Sequence, residues 1–400
     1  MIEYLSYILF FGLLIVLIIY GYIRIKYGFW ILQPVFHIYD ISYMISPPGV
    51  INHSLPNKNK YTNFKNIKTI LYNTLTEIEL NRIVNFIKLN YLQNKDNIFS
   101  PKLINISPYF NGHNSSSFIS LYTEQNDMLD LNKKTIIEDT KIIGIITARP
   151  IHIFINNGDT NANFDAYYID YLCVDKSYRK KGIAPQIIQT HHYNQSHLNK
   201  NINVSLFKRE DELTGIIPLT VYSTYGFSVN KWTKPLELHA MYKIVEINSQ
   251  NLHLLFDFIN NTNKLFDMVI NTNISNIVEL IKTKNIFIYA IIFENNIICA
   301  YCFRKSCVFI EKNMEVLSCF ASINNYQDNN IFIQGFKISF WKISDENYFG
   351  FSAIENVSHN NIIIDNIKIK TSPLIVSPTA YFFYNFAYNT FNSNKVLIIN

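Results

Sequence analysis

The chain has 400 residues, of which 48% are hydrophobic, and a formal net charge of +5. This length suits two domains of ordinary size, and the low glycine and proline content predicts a packed protein without long disordered segments. The modest positive charge, with no cluster of basic and aromatic residues, argues against a nucleic-acid partner but is compatible with an anionic cofactor or a membrane surface. The five cysteines predict reduced thiols in a cytosolic compartment, because they form no disulfide framework in so long a chain.

The first predicted element is an uncharged run of 20 residues from Tyr4 to Ile23, which follows Glu3. As a helix rising 1.5 Å per residue, it is long enough to cross a hydrocarbon core of about 30 Å. Arg24 and Lys26 come directly after it, and no small-residue cleavage site does. The pattern therefore predicts a single-pass membrane anchor with the rest of the protein on the cytosolic side. A buried helix or an interfacial anchor is the alternative.

Two rounds of strands and helices are predicted after this segment. Prolines make residues 24–62 extended, and a helix is predicted over 77–92. The first round has strands at 142–146, 151–155 and 167–174, a helix at 183–198, and strands at 202–207 and 236–245. The second round has a helix at 252–262, strands at 286–293, 297–303 and 315–323, a helix at 331–341, and strands at 349–353 and 380–386. The order predicts an α/β (α+β) fold with an anchor at 1–26 and two units at 27–245 and 246–400.

The most informative motif begins in the apolar, β-branched strand around Tyr168. The strand leads into the basic turn Arg179-Lys-Lys-Gly-Ile-Ala184, which opens a helix. Free N–H groups at a helix N-terminus attract anions, Gly182 allows close approach of the backbone, and Ala184 leaves the helix start uncrowded. The motif predicts a pyrophosphate-binding loop. A strand followed by a solvated basic loop is the alternative.

The spacing Arg-x-x-Gly-x-Ala after a strand resembles the acyl-CoA loop of GNAT-type acyltransferases. The longer string Asp170-Tyr-Leu-Cys-Val-Asp-Lys176, followed by Ala184-Pro-Gln, resembles the glycylpeptide N-myristoyltransferase family, whose signature runs Asn-Phe-Leu-Cys-Val-His-Lys. Further stretches resemble that family in the same order along the chain: Tyr27-Gly-Phe-Trp-Ile-Leu-Gln-Pro-Val35, Lys141 to Ile153, Phe351-Ser-Ala-Ile-Glu355, Tyr381-Phe-Phe-Tyr-Asn-Phe386 and Lys395-Val-Leu-Ile-Ile-Asn400.

The resemblance implies two tandem GNAT-like acyltransferase modules, the first binding acyl-CoA and the second on the peptide side. It implies transfer of a fatty acyl group from acyl-CoA to the N-terminal glycine amine of a protein, by direct attack of the amine on the thioester. Myristoyl-CoA or another acyl-CoA is then the co-substrate, with no permanently bound cofactor. The expected partners are peptides or proteins that begin with glycine, and we expect a monomer.

The resemblance also implies residue roles. The backbone N–H groups of Tyr171 and Leu172 correspond to the family's oxyanion donors, Asp170 would accept a hydrogen bond from the glycine amine, and the main-chain carboxylate of Asn400 corresponds to the family's base. Residues expected to bind acyl-CoA are Gly28, Phe29, Trp30, Cys173, Val174, Arg179, Lys180, Gly182, Ile183 and Ala184. Cys173 fits a small buried side chain better than a nucleophile. No metal site is expected, because Cys299-x-x-Cys302 lacks a second pair of ligands.

Several positions depart from the family pattern. Asp170 and Asp175 replace an Asn and a His, and Phe207-Lys208 replaces a Tyr-Thr pair. The segment Lys368-Ile-Lys-Thr-Ser-Pro373 lacks the glycines and aspartate of the family's second signature. The acyl-CoA half is therefore better preserved than the peptide half. A GNAT-type N-acetyltransferase that uses a short-chain donor, or an inactive acyl-CoA-binding relative, stays open. The histidines are not expected to be bases: His37, His152, His191, His192 and His197.

Overall fold

The computed structural model describes residues 2–26, 28–92, 97–130, 135–157, 160–210, 215–310 and 314–400. Its α-helices are α1 (Ile2–Lys26), α2 (Ile41–Ile45), α3 (Glu77–Asn90), α4 (Leu103–Ile106), α5 (Ile183–Leu198), α6 (Leu252–Thr262), α7 (Ile274–Lys282), α8 (Asn329–Asn347) and α9 (Asn360–Lys368). Its strands are β1 (Gly49–Val50), β2 (Ile67–Leu71), β3 (Asn97–Phe99), β4 (Phe118–Asp130), β5 (Thr135–Asn157), β6 (Thr160–Val174), β7 (Ser205–Glu210), β8 (Thr220–Ser228), β9 (Lys243–Glu246), β10 (Met268–Asn271), β11 (Ile286–Phe293), β12 (Asn296–Ile310), β13 (Met314–Asn324), β14 (Phe351–Glu355), β15 (Ile375–Tyr384), β16 (Phe386–Ala387) and β17 (Val396–Ile399).

One large, mixed sheet organises the fold. Its main path runs β17-β10-β5-β6-β7-β15-β8-β14-β13-β12-β11-β9, and β2, β3 and β4 pair at its sides. Apolar clusters pack against both faces of this sheet, with α6 and α7 in one cluster and α8 and α9 in another. The predicted mixed α/β class is confirmed.

The same arrangement of strands occurs twice along the chain. In the first half, β4, β5 and β6 are antiparallel, and β7 then pairs with β6 in parallel after the crossover through α5. In the second half, β11, β12 and β13 are antiparallel, and β14 pairs with β13 in parallel after α8. The two halves share the sheet, because β8 pairs with β14 and β9 pairs with β11. The division at residue 245 falls inside β9 and stays a prediction.

Local sequence signals explain the elements whose bounds match the predictions. Helix α3 begins at a capping box in which Thr76 Oγ1 accepts from the Glu79 N–H and the Glu79 carboxylate accepts from the Thr76 N–H. Its face containing Ile83 and Ile87 is buried. Helices α5 and α6 and strand β11 also have the predicted bounds.

The predicted strands at 142–146 and 151–155 are parts of one strand, β5, which continues through Pro150. A proline normally interrupts a ladder because it lacks an N–H. On one edge of β5, pairing with β4 ends at Ala148, and pairing with β10 begins at His152. Pro150 lies in the gap between these two ladders, while on the other edge it faces Tyr167. Its missing N–H therefore removes no bond to β4 or β10.

The N-terminal segment forms α1, so the predicted helix is present. Among the residues that the structure describes, no helix is both long and apolar enough to cross a membrane. The prediction of a transmembrane helix is therefore not supported. Several side chains of the predicted span, and Tyr27 directly after α1, lie outside the described residues.

Candidate active site

The site is built where two parallel strands separate. Strand β6 pairs with β7 only from Tyr167 to Ile169, opposite Ser205 to Phe207. Beyond Ile169, β6 stays with β5, while β7 continues along β15. The separation opens a cleft of about 640 Å³. The predicted site residues that line this cleft are Phe29, Trp30, Asp170, Tyr171, Leu172 and Ala184.

A β-bulge lies at the point of separation. Thr147 of β5 faces Asp170 and Ile145 faces Cys173, so Tyr171 and Leu172 together face the single residue Ile146. Tyr171 has a φ of 46°, in the left-handed region, which a bulge can accommodate. Its N–H donates to Asp170 Oδ1 at 2.8 Å. The first predicted oxyanion donor is thus already engaged, and it can reach a substrate only if the Asp170 side chain turns away.

Two carboxyl groups line the cleft, those of Asp170 and Glu210, and Asp170 is the one at the bulge. Burial raises its pKa, against the opposing effects of Arg149, the Tyr171 N–H, Arg304 and Lys208. A carboxyl with a raised pKa in a cleft is typical of a general base. The structure therefore gives Asp170 the surroundings of a proton acceptor as well as those of a hydrogen-bond acceptor.

The basic turn is held by its arginine. Arg179 Nε donates to the Val174 carbonyl at 3.2 Å, and its Nη2 donates to the Asn90 carbonyl at 2.9 Å. Asn90 is the last residue of α3. The guanidinium thus ties the turn to β6 and to a helix C-terminus, where positive charge is favourable. Arg179 does not line the cleft, so the structure gives it a role in fixing the turn. The predicted direct contact with acyl-CoA has no support from this geometry.

Gly182 begins helix α5 in a left-handed conformation, with a φ of 73°. A Cβ at this position would meet no atom within 4 Å. The glycine is therefore required by its backbone conformation, and the space beside it is open to a ligand. No side chain caps α5 at this residue, so the N–H groups of Ile183 and Ala184 have no intrahelical acceptor. Lys180 beside them is exposed. This geometry is compatible with the predicted anion site, which stays a prediction.

Aromatic residues from the N-terminal segment close one side of the cleft. The ring of Trp30 stacks on Phe207 with centroids 5.9 Å apart, and Phe29 meets Trp30 edge-on at 5.1 Å. Gln33 fixes the segment, because its Oε1 accepts from the Tyr384 hydroxyl at 2.5 Å and its Nε2 donates to the Phe29 carbonyl at 3.2 Å. Two of the three predicted residues reach the cleft, and Gly28 does not line it.

Three residues that were predicted to bind acyl-CoA have side chains that pack in the hydrophobic core. Cys173, Val174 and Ile183 are buried in apolar clusters and do not line the cleft. Burial raises the pKa of Cys173 to about 12, so it is a neutral thiol. Any contact that these residues make with acyl-CoA would use the backbone.

Asn400 is fully buried, as its apolar neighbours predict. It follows β17, which pairs in parallel with β10, and β10 pairs with β5. Two strands therefore separate β17 from β6 in the sheet, and Asn400 is not among the residues that line the cleft. The structure does not bring the predicted base into the cleft.

A buried charged cluster adjoins the cleft, and the sequence did not predict it. Glu355 of β14 is 4% exposed. Its Oε2 lies 3.2 Å from Lys208 Nζ and also accepts from the Tyr222 hydroxyl, while its Oε1 lies 3.1 Å from Arg304 Nη2. Burial raises the pKa of Glu355, but Lys208 and Arg304 outweigh that effect and leave the pKa below its usual range. Lys208 lines the cleft.

Lys208 lies where the family pattern has a threonine. This departure was the one feature of the sequence that pointed to the cluster. The carboxylate that holds it comes from a strand 147 residues further along the chain. A single sequence does not indicate such a pairing.

Two histidines of α5 line the cleft but are uncharged. Burial lowers the pKa of His191 to about 3 and that of His192 to about 4. His191 Nδ1 also bonds Ser120 Oγ at 2.7 Å. Elsewhere, Cys299 and Cys302 lie on one strand in different apolar clusters, and burial raises the pKa of each thiol to about 12.

A separated pair of parallel strands, a bulge at the split and an open helix N-terminus together define a GNAT-like acyltransferase fold. Residues 53–208 match the family model described as Myristoyl-CoA:protein N-myristoyltransferase, N-terminal domain. The resemblance seen in the sequence is therefore confirmed: residues 53–208 are similar to the N-terminal domain of the N-myristoyltransferase family.

Solved structures share the fold along most of the chain. A Saccharomyces cerevisiae N-myristoyltransferase with bound myristoyl-CoA has a TM-score of 0.70 at 11% identity, covering 92% of this chain and 94% of that one. A second structure of the yeast enzyme with myristoyl-CoA has a TM-score of 0.68 at 12% identity, covering 92% and 90%. A tandem GNAT protein from the clavulanic acid biosynthesis pathway has a TM-score of 0.51 at 8% identity, covering 81% and 100%. No curated protein sequence matches the chain.

Proposed function

We propose that this protein transfers a fatty acyl group from acyl-CoA to the N-terminal glycine amine of a peptide or protein. The observation that carries the proposal is the convergence in one cleft of the bulge at Tyr171 and Leu172, the start of α5 at Ala184 and the aromatic pair Phe29 and Trp30. An acyl-CoA lying there has its phosphates at the N–H groups of α5 and its thioester at the bulge.

The reaction needs no protein nucleophile. The amine nitrogen attacks the thioester carbonyl carbon, the carbonyl oxygen becomes an oxyanion, and the carbon–sulfur bond then breaks to release the CoA thiolate. The backbone N–H of Leu172 donates a hydrogen bond to the oxyanion. One such donor lowers the activation free energy by about 2.7–4 kcal/mol. The proton from the attacking amine passes to the Asp170 carboxylate, which lies in the cleft.

The decisive experiment incubates the protein with myristoyl-CoA and a peptide that begins with glycine. Release of CoA thiol and the mass of the acylated peptide are measured together. We expect the amounts of CoA thiol and of acylated peptide to increase together with time. Neither should increase when the same peptide is acetylated at its N-terminal amine. A preference for acetyl-CoA would move the protein to the GNAT-type N-acetyltransferases and overturn the proposed donor.

The main-chain carboxylate of Asn400 is the proton acceptor that the sequence predicts. Adding one alanine after Asn400 displaces its main-chain carboxylate, whereas Asp170→Asn removes the carboxylate at the bulge. Loss of turnover only in the extended protein, with acyl-CoA binding retained, would favour Asn400. Loss of turnover only in Asp170→Asn would favour Asp170 as the base.

A protein that binds acyl-CoA without turnover is the second candidate function. The observation that favours it is the bond from the Tyr171 N–H to Asp170, which occupies one of the two predicted oxyanion donors. Tight binding of myristoyl-CoA with no acylated product, over a panel of glycine peptides, would establish this alternative.

The membrane location predicted from the sequence rests on the uncharged run in α1, and we keep it as a proposal. Full-length protein and protein lacking residues 1–26 can be compared after membranes are washed with alkaline carbonate. Retention of the full-length protein alone would support an anchor, and release of both would refute it.

A further inference from the structure

A second cleft lies in the other half of the protein. Its volume is about 1130 Å³, larger than that of the candidate active site. Three segments line it: helix α8, residues 228–236 at and after the end of β8, and residues 366–374 at and after the end of α9. Trp232 packs on Phe340 with ring centroids 5.2 Å apart, and the Gln334 amide donates to the Leu236 carbonyl. These contacts tie the segment 228–236 to the helix.

The charges around this cleft are unbalanced. Four lysines and one aspartate line it: Lys231, Lys234, Lys337, Lys370 and Asp345. Within the described ranges, no ion pair links any of these lysines to a carboxylate. Their combined field therefore attracts an anion from solution.

Lys337 shows the imbalance most clearly. It is half-buried on α8, and its Nζ donates to Asn366 Oδ1 at 2.8 Å. Burial lowers the pKa of Lys337, and the charge of Lys370 lowers it further. An amide oxygen satisfies one of the three ammonium donors but does not neutralise the charge. A bound anion would supply the missing counter-charge.

The rest of the lining mixes polar residues with a larger number of apolar ones. Phe336, Phe349 and Trp341 are among the apolar residues. Three aliphatic side chains of the lining are strongly exposed: Leu236 at 83%, Ile369 at 75% and Leu374 at 65%. Such side chains favour a ligand that covers them with hydrocarbon. An inorganic anion would satisfy the lysines and leave this surface in water.

We propose that the cleft binds an anionic amphiphile as a single molecule: a long-chain carboxylate whose head lies at Lys337 and Lys370 and whose tail covers Trp341 and Leu236. The cleft volume of about 1130 Å³ lies slightly above the usual range of ligand sites, about 300–1,000 Å³, so a long-chain molecule has room to bind. The proposed site is separate from the acyl-CoA cleft, because no residue that lines the acyl-CoA cleft lines the second cleft.

Quenching of tryptophan fluorescence by a brominated fatty acid tests the proposal. The chain has three tryptophans, and two of them, Trp232 and Trp341, line this cleft while Trp30 lines the other. In the Trp30→Phe variant, a saturable loss of fluorescence must come from the second cleft. We expect it with the brominated carboxylate below its micelle concentration, and more weakly with the brominated alcohol of the same chain length.

The lysine is tested by Lys337→Met, which keeps the aliphatic stem and removes the charge. We expect this variant to bind the brominated carboxylate about tenfold more weakly, the effect of losing one hydrogen bond to a charged group. Lys342→Gln is the matched control, since Lys342 is exposed on the same helix and does not line the cleft. Its affinity should be unchanged.

Each contrary outcome overturns the proposal. These are an absence of saturable quenching, equal affinity for carboxylate and alcohol, equal affinity in Lys337→Met, and quenching by vesicles of brominated anionic phospholipid but not by the monomeric fatty acid. The last result would make the surface a membrane contact. None of these outcomes predicts a change in acyltransferase activity. The two proposals can therefore fail independently.

Discussion

Replacing Asp170 with asparagine is the sharpest test of the mechanism. The amide oxygen of asparagine can still accept from the Tyr171 N–H, which the Asp170 carboxylate accepts at 2.8 Å. The bulge can therefore keep its shape. What asparagine cannot do is accept a proton. The substitution thus removes one chemical property and leaves the geometry of the cleft in place.

The expected loss of kcat is about 10²–10⁴-fold, the usual contribution of a positioned general base. Acyl-CoA binding should change little, since the phosphates are expected at the start of α5. Stability should not fall. Because the folded-state pKa of Asp170 is raised by burial, its ionisation at neutral pH costs folding free energy, at about 1.4 kcal/mol per pKa unit. Asp170→Asn should keep or increase the Tm at pH 7.

The assay is the release of CoA thiol at saturating peptide, measured across a range of pH. A base works only when ionised, so kcat should fall as the pH drops through the raised pKa of Asp170, which lies above the usual value of about 4. The descending limb should disappear in Asp170→Asn. Direct binding of acyl-CoA, by calorimetry, completes the comparison.

Asp165→Asn is the matched control, because Asp165 lies on the same strand, pairs with His152 and does not line the cleft. Its kcat should equal that of the unaltered protein. If Asp170→Asn retains full turnover with the same pH profile, Asp170 is not the base. If it loses acyl-CoA binding or unfolds, the substitution has damaged the cleft, and the reasoning from its geometry is wrong.

Three further predictions test other parts of the site. Gly182→Ala should lower the free energy of unfolding by about 1–2 kcal/mol, because φ is positive at this position. Gly182→Asn should lower it less. Chemical denaturation measures both values, and equal losses would contradict the conformational explanation. Trp30→Ala should raise the Kd for acyl-CoA about tenfold by removing an aromatic wall of the cleft, and unchanged binding in calorimetry would place the acyl-CoA elsewhere. Glu355→Gln should lower stability by about 3 kcal/mol at pH 7, because it removes the carboxylate that pairs with the partly buried Arg304 and leaves Lys208 with the more distant Glu210 carboxylate at 3.9 Å. Because the folded-state pKa of Glu355 is lowered, its contribution to stability is present above the unfolded-state pKa of about 4.3 and is lost as the pH falls through the folded-state pKa. The Tm values of the unaltered protein and of Glu355→Gln should therefore converge in acid. A Tm difference that stays constant with pH would refute the pairing.

The acyl-CoA half of the site could be predicted from the sequence because its determinants are local. The strand, the turn and the start of α5 follow one another within Tyr168–Ala184, and Gly182 marks the one position that needs a positive φ. The bounds of α5 and α6 followed from apolar spacing in the same way. These features depend on residues only a few positions apart, so the chain itself specifies them.

The peptide half depended on contacts between distant segments. Glu355 meets Lys208 and Arg304 only because β14, β7 and β12 belong to one sheet, and Asn400 lies outside the cleft because β17 pairs with β10. The bulge likewise turns the Tyr171 N–H toward Asp170, which no residue spacing indicates. The sequence by itself therefore determined the class of fold and the glycine-containing turn that begins α5. The tertiary structure decided which carboxylates line the cleft and which charges surround them, because burial and strand pairing bring together groups that are far apart along the chain.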